Sequence, residues 1–314
     1  MSIKPLFYCL NFDYEPNAKA NLWRNFLDRV VPDTSCQSVL HEFIGYIFLN
    51  ISLSKALILL GSGANGKSVV NTIVTKIVGE KNICGYSLQS LCDSKGYTRA
   101  VLEGKLVNYC DEIGNGKYDQ DKWKKLVSGG SIEARLPFKE PFMFNNKCKF
   151  IFNANTLPIA ESTHGFFRRM IIIPFDITIP EKEQDIDLAD KICQSDLPGI
   201  FNIVLEKMQL LMDKKRFSKS DIIDKALDKY KTESNSVEMF IKDDLWIRSS
   251  VKHLSLKEFH ALYRQYCIDN GYHAFSNKKF SNHLRKMGFE VIPGANGYFV
   301  VYCKKRDHNI TTSR

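Results

Sequence analysis

Apolar residues recur at helical spacing in the first fifty positions. Leu22, Phe26, Leu27 and Val30 share one face of a helix predicted over Lys19–Val31, and Pro32 ends it. Leu40, Phe43, Ile44 and Ile47 repeat the pattern over Val39–Phe48. The period then changes. Ala56–Leu60 is an unbroken apolar run that predicts a buried strand, followed by a glycine-rich turn and a helix over Lys67–Val78. Residues 105–110 predict a strand ending at Asp111 and Glu112, and Asp119–Val127 a short helix broken by Gly129 and Gly130. Ile132–Ala154 reads as two or three strands with a turn near Lys139, Glu140 and Pro141, and Met170–Phe175 as another apolar strand. Strands interleaved with helices predict an α/β sheet.

Gln184–Cys193 and Gly199–Lys214 read as helices, and the acidic run Glu181–Asp190 as a solvated helix face. Phe217–Ser236 is polar and partly helical, with a domain boundary expected near Thr232–Ser236. Beyond it, Phe259, Leu262, Tyr263 and Tyr266 mark an amphipathic helix over Ser255–Cys267, which Asn270 and Gly271 end. Ser276 caps a second helix, Asn277–Met287, with Phe280, Leu284 and Met287 as its stripe. Strands near Phe289–Ile292 and Tyr298–Tyr302 flank Pro293–Gly297. Helix, turn, helix, hairpin is the order of a winged helix. The expected organisation is a helical segment over 1–52, a core over 53–180, a helical lid or linker over 181–235 and a winged-helix domain over 236–314.

The 314 residues suffice for two or three domains, and 44% hydrophobic with 25% charged residues is the balance of a folded chain. No apolar run approaches the roughly 18–20 residues of a membrane span. The nine cysteines, from Cys9 to Cys303, are scattered with no C-x-x-C pair, which points to a reducing compartment and away from a zinc site. A cytoplasmic location is the expectation. The net charge is +9, and thirteen basic against seven acidic residues from Ser236 onward place six of those nine charges in the last quarter. Such an excess attracts polyanions, although a solvated lysine-rich surface has the same composition.

The candidate chemistry lies at Gly61-Ser62-Gly63-Ala64-Asn65-Gly66-Lys67-Ser68, which satisfies G-x-x-x-x-G-K-[ST] between a strand and a helix. Glycines let the backbone wrap phosphate oxygens, and the N–H groups and helix N-terminus face them. Lys67 can reach the β- and γ-phosphates of ATP, and the Ser68 hydroxyl can bind Mg²⁺. Asp111 would complete the metal site and Glu112 would polarise the attacking water. Among other P-loop classes, a GTPase would need N-K-x-D, and Asn277-Lys278-Lys279-Phe280 fails at its last place. A transporter-type ATPase carries S-G-G before its acidic strand, whereas Ser128-Gly129-Gly130 follows it. A small-molecule kinase would need a phosphate-gripping lid, for which Arg99, Arg135, Arg168 and Arg169 are available.

With these motifs in order, the chain resembles superfamily 3 helicases, more narrowly the helicase module of phage and plasmid primases and of the poxvirus primase-helicase. The resemblance runs from Phe12-Asp13 and Trp23–Phe26 through the P-loop and Asp111-Glu112. It continues in Leu126–Ser131, Arg135–Phe142, Phe150–Pro158, Gly165–Met170 and Pro174-Phe175. It implies an AAA+-like P-loop core that assembles into a ring, usually a hexamer, and moves 3′-to-5′ along one DNA strand. It also implies residue roles. Asn155 matches the polar sensor, with Asn153 as the alternative. Arg169 matches the arginine finger that reaches a neighbouring subunit's ATP, with Arg168 behind it. Ile132–Phe144 matches the hairpin that enters the ring channel, with Lys139 as its DNA-phosphate contact and Arg135 and Lys147 as weaker ones. Phe138 and Phe142 can stack on bases, but core packing is the expectation for both.

Lys278, Lys279, Arg285 and Lys286 on the last predicted helix, with Lys304–Arg306 beyond, suit duplex DNA, while a packing module is the alternative. The family's helicase module normally follows a primase domain, and the Asp-x-Asp at Asp185-Ile186-Asp187 falls in the acidic run read as a solvated helix face. No primer synthesis is expected of this chain, which reads as a standalone helicase or a fragment of a primase-helicase. The expectation is an ATP- and Mg²⁺-dependent helicase acting on single-stranded and forked DNA in replication of a phage or mobile element, with a primase or polymerase as possible partner. The alternative is an ATP-dependent initiator or DNA-binding scaffold without processive unwinding.

Overall fold

The computed structural model describes residues 10–114, 118–158, 164–270, 272, 274–294 and 297–306; Cys9, Gly271, Ala295 and Asn296 lie outside them. It divides into two compact units, residues 1–158 with 163–228, and residues 159–162 with 229–314.

Helices α1 (Asn21–Val30) and α2 (Thr34–Ile47) open the first unit, and Asp33 caps α2 by accepting from the Cys36 N–H. Next come β1 (Ala56–Leu60), α3 (Lys67–Val78), β2 (Ile83–Cys84), α4 (Leu88–Leu91), α5 (Tyr97–Val101) and β3 (Val107–Cys110). After these follow α6 (Gln120–Ser128), β4 (Ser131–Ala134), β5 (Phe142–Asn145), β6 (Lys149–Ala154), α7 (His164–Phe167) and β7 (Met170–Pro174). Helices α8 (Leu188–Ser195), α9 (Leu197–Lys214) and α10 (Asp221–Glu233) complete the series, and α10 runs through the division at residue 228.

Five strands form a parallel sheet in the order β2-β3-β6-β1-β7. Its inner strands are buried along nearly their whole length, as a parallel sheet covered on both faces requires. That is why Ala56–Leu60 and Met170–Ile173 read as unbroken apolar runs. Trp23, Phe26, Leu27 and Val30 of α1 enter the same core as Leu57, Leu59, Val70, Ile73, Ile171 and Ile173. This is a mixed α/β fold with a central parallel sheet, consistent with a P-loop-type core.

Three local expectations need correction. Leu22 is not on the core face of α1; it is 39% exposed, because the core stripe is set by Trp23, Phe26, Leu27 and Val30. The run 181–190 is not one solvated helix face, since a 3-10 turn over Glu181–Glu183 and irregular chain precede α8. Phe138 does not pack in the core. Strands β4 and β5 pair from Ser131↔Asn145 to Ala134↔Phe142 and bury Ile132, Ala134 and Phe144. Residues 135–141 form the connecting loop, and Phe138 stands there fully exposed at a φ of 59°. Phe142, at the strand end, is half-buried.

The second unit contains α11 (Ser236–Asp243), β8 (Trp246–Arg248), β9 (Leu254–Ser255), α12 (Leu256–Asp269), α13 (Asn277–Lys286), β10 (Val291–Pro293), β11 (Phe299–Val301) and β12 (Cys303–Lys305). Ser255 and Glu258 form a capping box at the start of α12, and Ser276 caps α13. An aromatic core ties the helices together. Phe240 of α11, Phe259 and Tyr263 of α12 and Phe280 of α13 are all buried, with Tyr263 and Phe280 stacked at 4.5 Å. Strands β10, β11 and β9 form an antiparallel sheet and β12 pairs with β8. Leu262, expected on the α12 stripe, is 45% exposed.

Candidate functional site

Parallel strands bring their C-terminal ends to one edge of a sheet, where ligands bind in open α/β folds. Here the ends of β1, β3 and β6 carry the glycine-rich loop, Asp111-Glu112 and Asn155. Register sets their pairing. Cys110↔Phe152 puts Asp111 next to Asn153, and Leu60↔Ala154 puts Asn155 beside the start of the loop.

The loop's shape needs its glycines. Gly66 sits at a φ of 88°, and a Cβ there would come within 2.7 Å of the Phe26 ring. A Cβ on Gly61 would overlap the Phe175 carbonyl and the Asn65 amide. Asn65 is buried and donates to the Phe175 carbonyl (3.0 Å), which pins the loop to the residue after β7.

Lys67 begins α3 and is 7% exposed. Its Nζ donates to the Gly61 carbonyl (2.6 Å), Asn65 Oδ1 (3.0 Å) and Asn155 Oδ1 (3.4 Å). All three partners are neutral, and burial pushes the ammonium's pKa below the ordinary lysine value. A buried cation that meets only dipoles gains most from an incoming anion.

Asp111 Oδ1 accepts from Asn71 Nδ2 (2.7 Å) and Asn153 Nδ2 (3.2 Å), and Asn153 Oδ1 accepts from the buried Tyr109 hydroxyl (3.2 Å). Two amides therefore aim this carboxylate. Glu112 is exposed and does not line the cavity that Asp111 lines. The Asn71 contact escaped sequence reading, although its position one turn beyond Lys67 on the same helix face is a usable signal.

These groups open into a cavity of about 710 Å³ that also touches Leu22, Asn25, Phe26 and Arg29 of α1 and the segment from Ile179 to Leu188. Thus part of the acidic run lines the cavity instead of a solvated face. The Ile179 N–H donates to the Ala64 carbonyl (2.8 Å), and Arg29 pairs with Glu183. These links join the segment to the loop and to α1.

The arginines separate clearly. Arg99 is 1% exposed, donates to the carbonyls of Leu91, Asp93 and Glu133 and pairs with Asp93, so it braces α5 and cannot grip a phosphate. Arg135 reaches the Lys139 carbonyl across the hairpin loop (3.0 Å). Arg169 is half-buried and donates to the Gly165 carbonyl and Ser128 Oγ of its own chain, whereas Arg168 is exposed. Lys139 is exposed in the hairpin loop. Lys147 lines a second cavity of about 320 Å³ with Lys55 and Lys149.

In the second unit Lys278, Lys279, Arg285 and Lys286 are exposed on α13. Arg285 is the most constrained, donating to the Val291 carbonyl (3.2 Å) with its guanidinium over the Phe299 ring (5.7 Å).

Comparison with known proteins agrees with a core of this kind. A family described as "Family of unknown function (DUF5906)" matches residues 59–169, from the end of β1 to Arg169. A protein of Acanthamoeba polyphaga mimivirus named "Putative helicase L207/L206" is 26% identical over 187 residues, which are 53% of this chain and 19% of that protein. The chain's match spans about a fifth of that relative's length. Among solved structures, the A form apo structure of the NrS-1 C terminal region is similar with a TM-score of 0.54 at 15% identity, covering 93% of this chain and 79% of that one. A second apo structure of that region, residues 305–718, gives 0.52 at 14% identity over 96% and 78%. At such identity the likeness is one of fold. Among the described residues, no helix is long and apolar enough to cross a membrane.

Proposed function

We propose that this chain is an ATP-driven DNA helicase module of the superfamily 3 type, working as a ring in replication. The observation that carries the reading is the convergence of Lys67, Asn155, Asp111 and Asn153 at one edge of the parallel sheet, around a loop that fits G-x-x-x-x-G-K-[ST]. The ordered motifs downstream, the relative named as a helicase and the fold shared with the NrS-1 C terminal region support it.

In this reading Lys67 turns from its three neutral acceptors to the β- and γ-phosphates. Asn155, 3.4 Å from Nζ, holds the attacking water in line with the γ-phosphorus. Glu112, which stands exposed beside Asp111, turns inward to accept the water's proton as the new P–O bond forms and the bond to the β–γ bridging oxygen breaks, giving ADP and phosphate. Ser68 and Asp111 would hold Mg²⁺, which neutralises developing phosphate charge. The two amides on Asp111 suit that task because both bind Oδ1 and neither takes up Oδ2.

The exposed Arg168 is the better finger for a neighbouring subunit, and Arg169 the brace that positions its loop. The β4–β5 hairpin offers Phe138 and Lys139 to single-stranded DNA. The second unit is assigned as a winged helix whose α13 lies against duplex phosphates.

Strand displacement on labelled forks tests the assignment. Unwinding that needs ATP and a 3′ tail is expected. ATP hydrolysis and DNA binding with no displacement on any fork would replace it with an initiator or scaffold.

A further inference from the structure

The phosphate loop supplies only part of the lining of the 710 Å³ cavity, a volume well within the usual range for a small-molecule site. Two other segments that the motifs do not explain complete it. On one side, Leu22, Asn25, Phe26 and Arg29 lie on successive turns of α1 and all line the cavity. This face is distinct from the stripe that enters the core. Phe26 belongs to both, and its ring packs against Gly66. On the other side stand Ile179, Ile186 and Leu188, and Ile186 is 95% exposed. An apolar side chain so placed gains by burial against a flat apolar ligand.

We propose that this chamber holds the base of the nucleotide whose phosphates lie on the loop, and that Asn25 selects adenine over guanine. The inference rests on the phosphate-site reading and names the base that the sequence leaves undetermined. Leu22 and Ile186 cover the two faces of the ring. The edge is read by elimination among the polar groups of the wall. Asp185 is committed, with Oδ2 on Lys191 Nζ (2.7 Å) and Oδ1 on the Asp187 N–H (3.1 Å). Glu183 is paired with Arg29, and Gln184 Nε2 donates to the Ile179 carbonyl (2.8 Å). Asn25 is exposed on the cavity face of α1, and among the described residues its amide has no hydrogen-bond partner. One donor and one acceptor side by side match the adenine N6–H/N7 edge, whereas guanine offers two acceptors, O6 and N7, on that edge.

The test is displacement of N-methylanthraniloyl-ATP by unlabelled ATP or GTP from wild type, Asn25→Ala, Asn25→Asp, Ile186→Ser and Lys67→Ala. In wild type, ATP should compete about tenfold better than GTP, the scale of one paired base edge. Asn25→Ala should erase that ratio, and Asn25→Asp should widen it in favour of ATP, because on that edge a carboxylate accepts from adenine N6–H but meets only acceptors on guanine. Ile186→Ser should weaken both competitors alike. Binding that depends on Lys67 while the ATP-to-GTP ratio ignores both Asn25 variants would overturn this inference alone. No nucleotide binding, or binding untouched by Lys67→Ala, would overturn the phosphate-site reading and this inference with it.

Discussion

At the residue scale, the site is a set of buried or aimed polar groups whose partners predict distinct defects. In the proposed reading Lys67 is the cation held for phosphate, so Lys67→Ala should lower ATP hydrolysis on the order of 10²–10³-fold, as loss of a transition-state donor does. Steady-state turnover checks this, and retained turnover would remove the site. The two asparagines, one at the end of β6 and one just beyond it, should separate kinetically. Asn153→Ala frees Asp111 and should raise the Mg²⁺ concentration needed for half-maximal hydrolysis. Asn155→Ala should lower turnover even at saturating Mg²⁺. The reverse pattern would exchange their roles. The loop, Asp111 and both asparagines were legible in the sequence because each lies at the C-terminal end of a strand or directly after it. Asn25, Asn71 and Ile186 were not, because each is a polar or apolar residue whose meaning depends on which wall it faces.

At the scale of elements, the β4–β5 hairpin is the instructive case. Its strands could be read from Ile132, Ala134 and Phe144, which point inward by alternation. The fate of Phe138 could not, since a seven-residue loop escapes the period of two and hydrophobicity alone sends a phenylalanine inward. Under the proposed helicase reading, its full exposure offers a platform for a base. Phe138→Ala should weaken single-stranded DNA binding by about 1–3 kcal/mol, the value of one stacked base. The thermal midpoint should stay unchanged, and Phe138→Trp should restore affinity. Anisotropy with a labelled oligonucleotide decides it, and equal affinity for all three proteins would take the hairpin out of DNA contact.

Helix α2 supplies a prediction about stability. Buried His41 accepts from Trp23 Nε1–H through Nε2 (2.8 Å), and burial pulls its pKa down to about 4 from about 6.5. The imidazole is therefore neutral when folded, while the unfolded chain takes up its proton first. Stability from this site is complete above pH 6.5 and is lost as the pH falls toward 4, by about 3 kcal/mol in total. His41→Gln has no such titration and should flatten that part of the pH profile in denaturant melts. An unchanged slope would falsify the assignment of the acid response to His41.

At the scale of the whole molecule, an α/β sheet could be anticipated because β1 and β7 are unbroken apolar runs set among helices with clear stripes. Strands β2, β8, β9 and β12 could not, since two or three residues carry no period. The α11 helix follows a polar stretch, and its residues Val237, Phe240 and Ile241 join it to the aromatic core. The proposed ring makes its own prediction. Mixing Lys67→Ala with Arg168→Ala subunits should restore part of the hydrolysis lost in each, because each supplies what the other lacks at a shared site. An arginine finger in P-loop enzymes contributes about 10³–10⁵ in rate, so even modest rescue is measurable. Arg169→Ala should instead lower the thermal midpoint, having lost its bonds to Gly165 and Ser128.

The central claim is that a nucleotide site at the sheet edge is coupled to DNA. It is tested most directly by ATP hydrolysis with and without single-stranded DNA, at low ionic strength so that phosphate contacts are not screened. Strong stimulation by DNA, absent from Lys67→Ala, is the predicted result. Hydrolysis that requires Lys67 but does not respond to DNA at any concentration would contradict the helicase account.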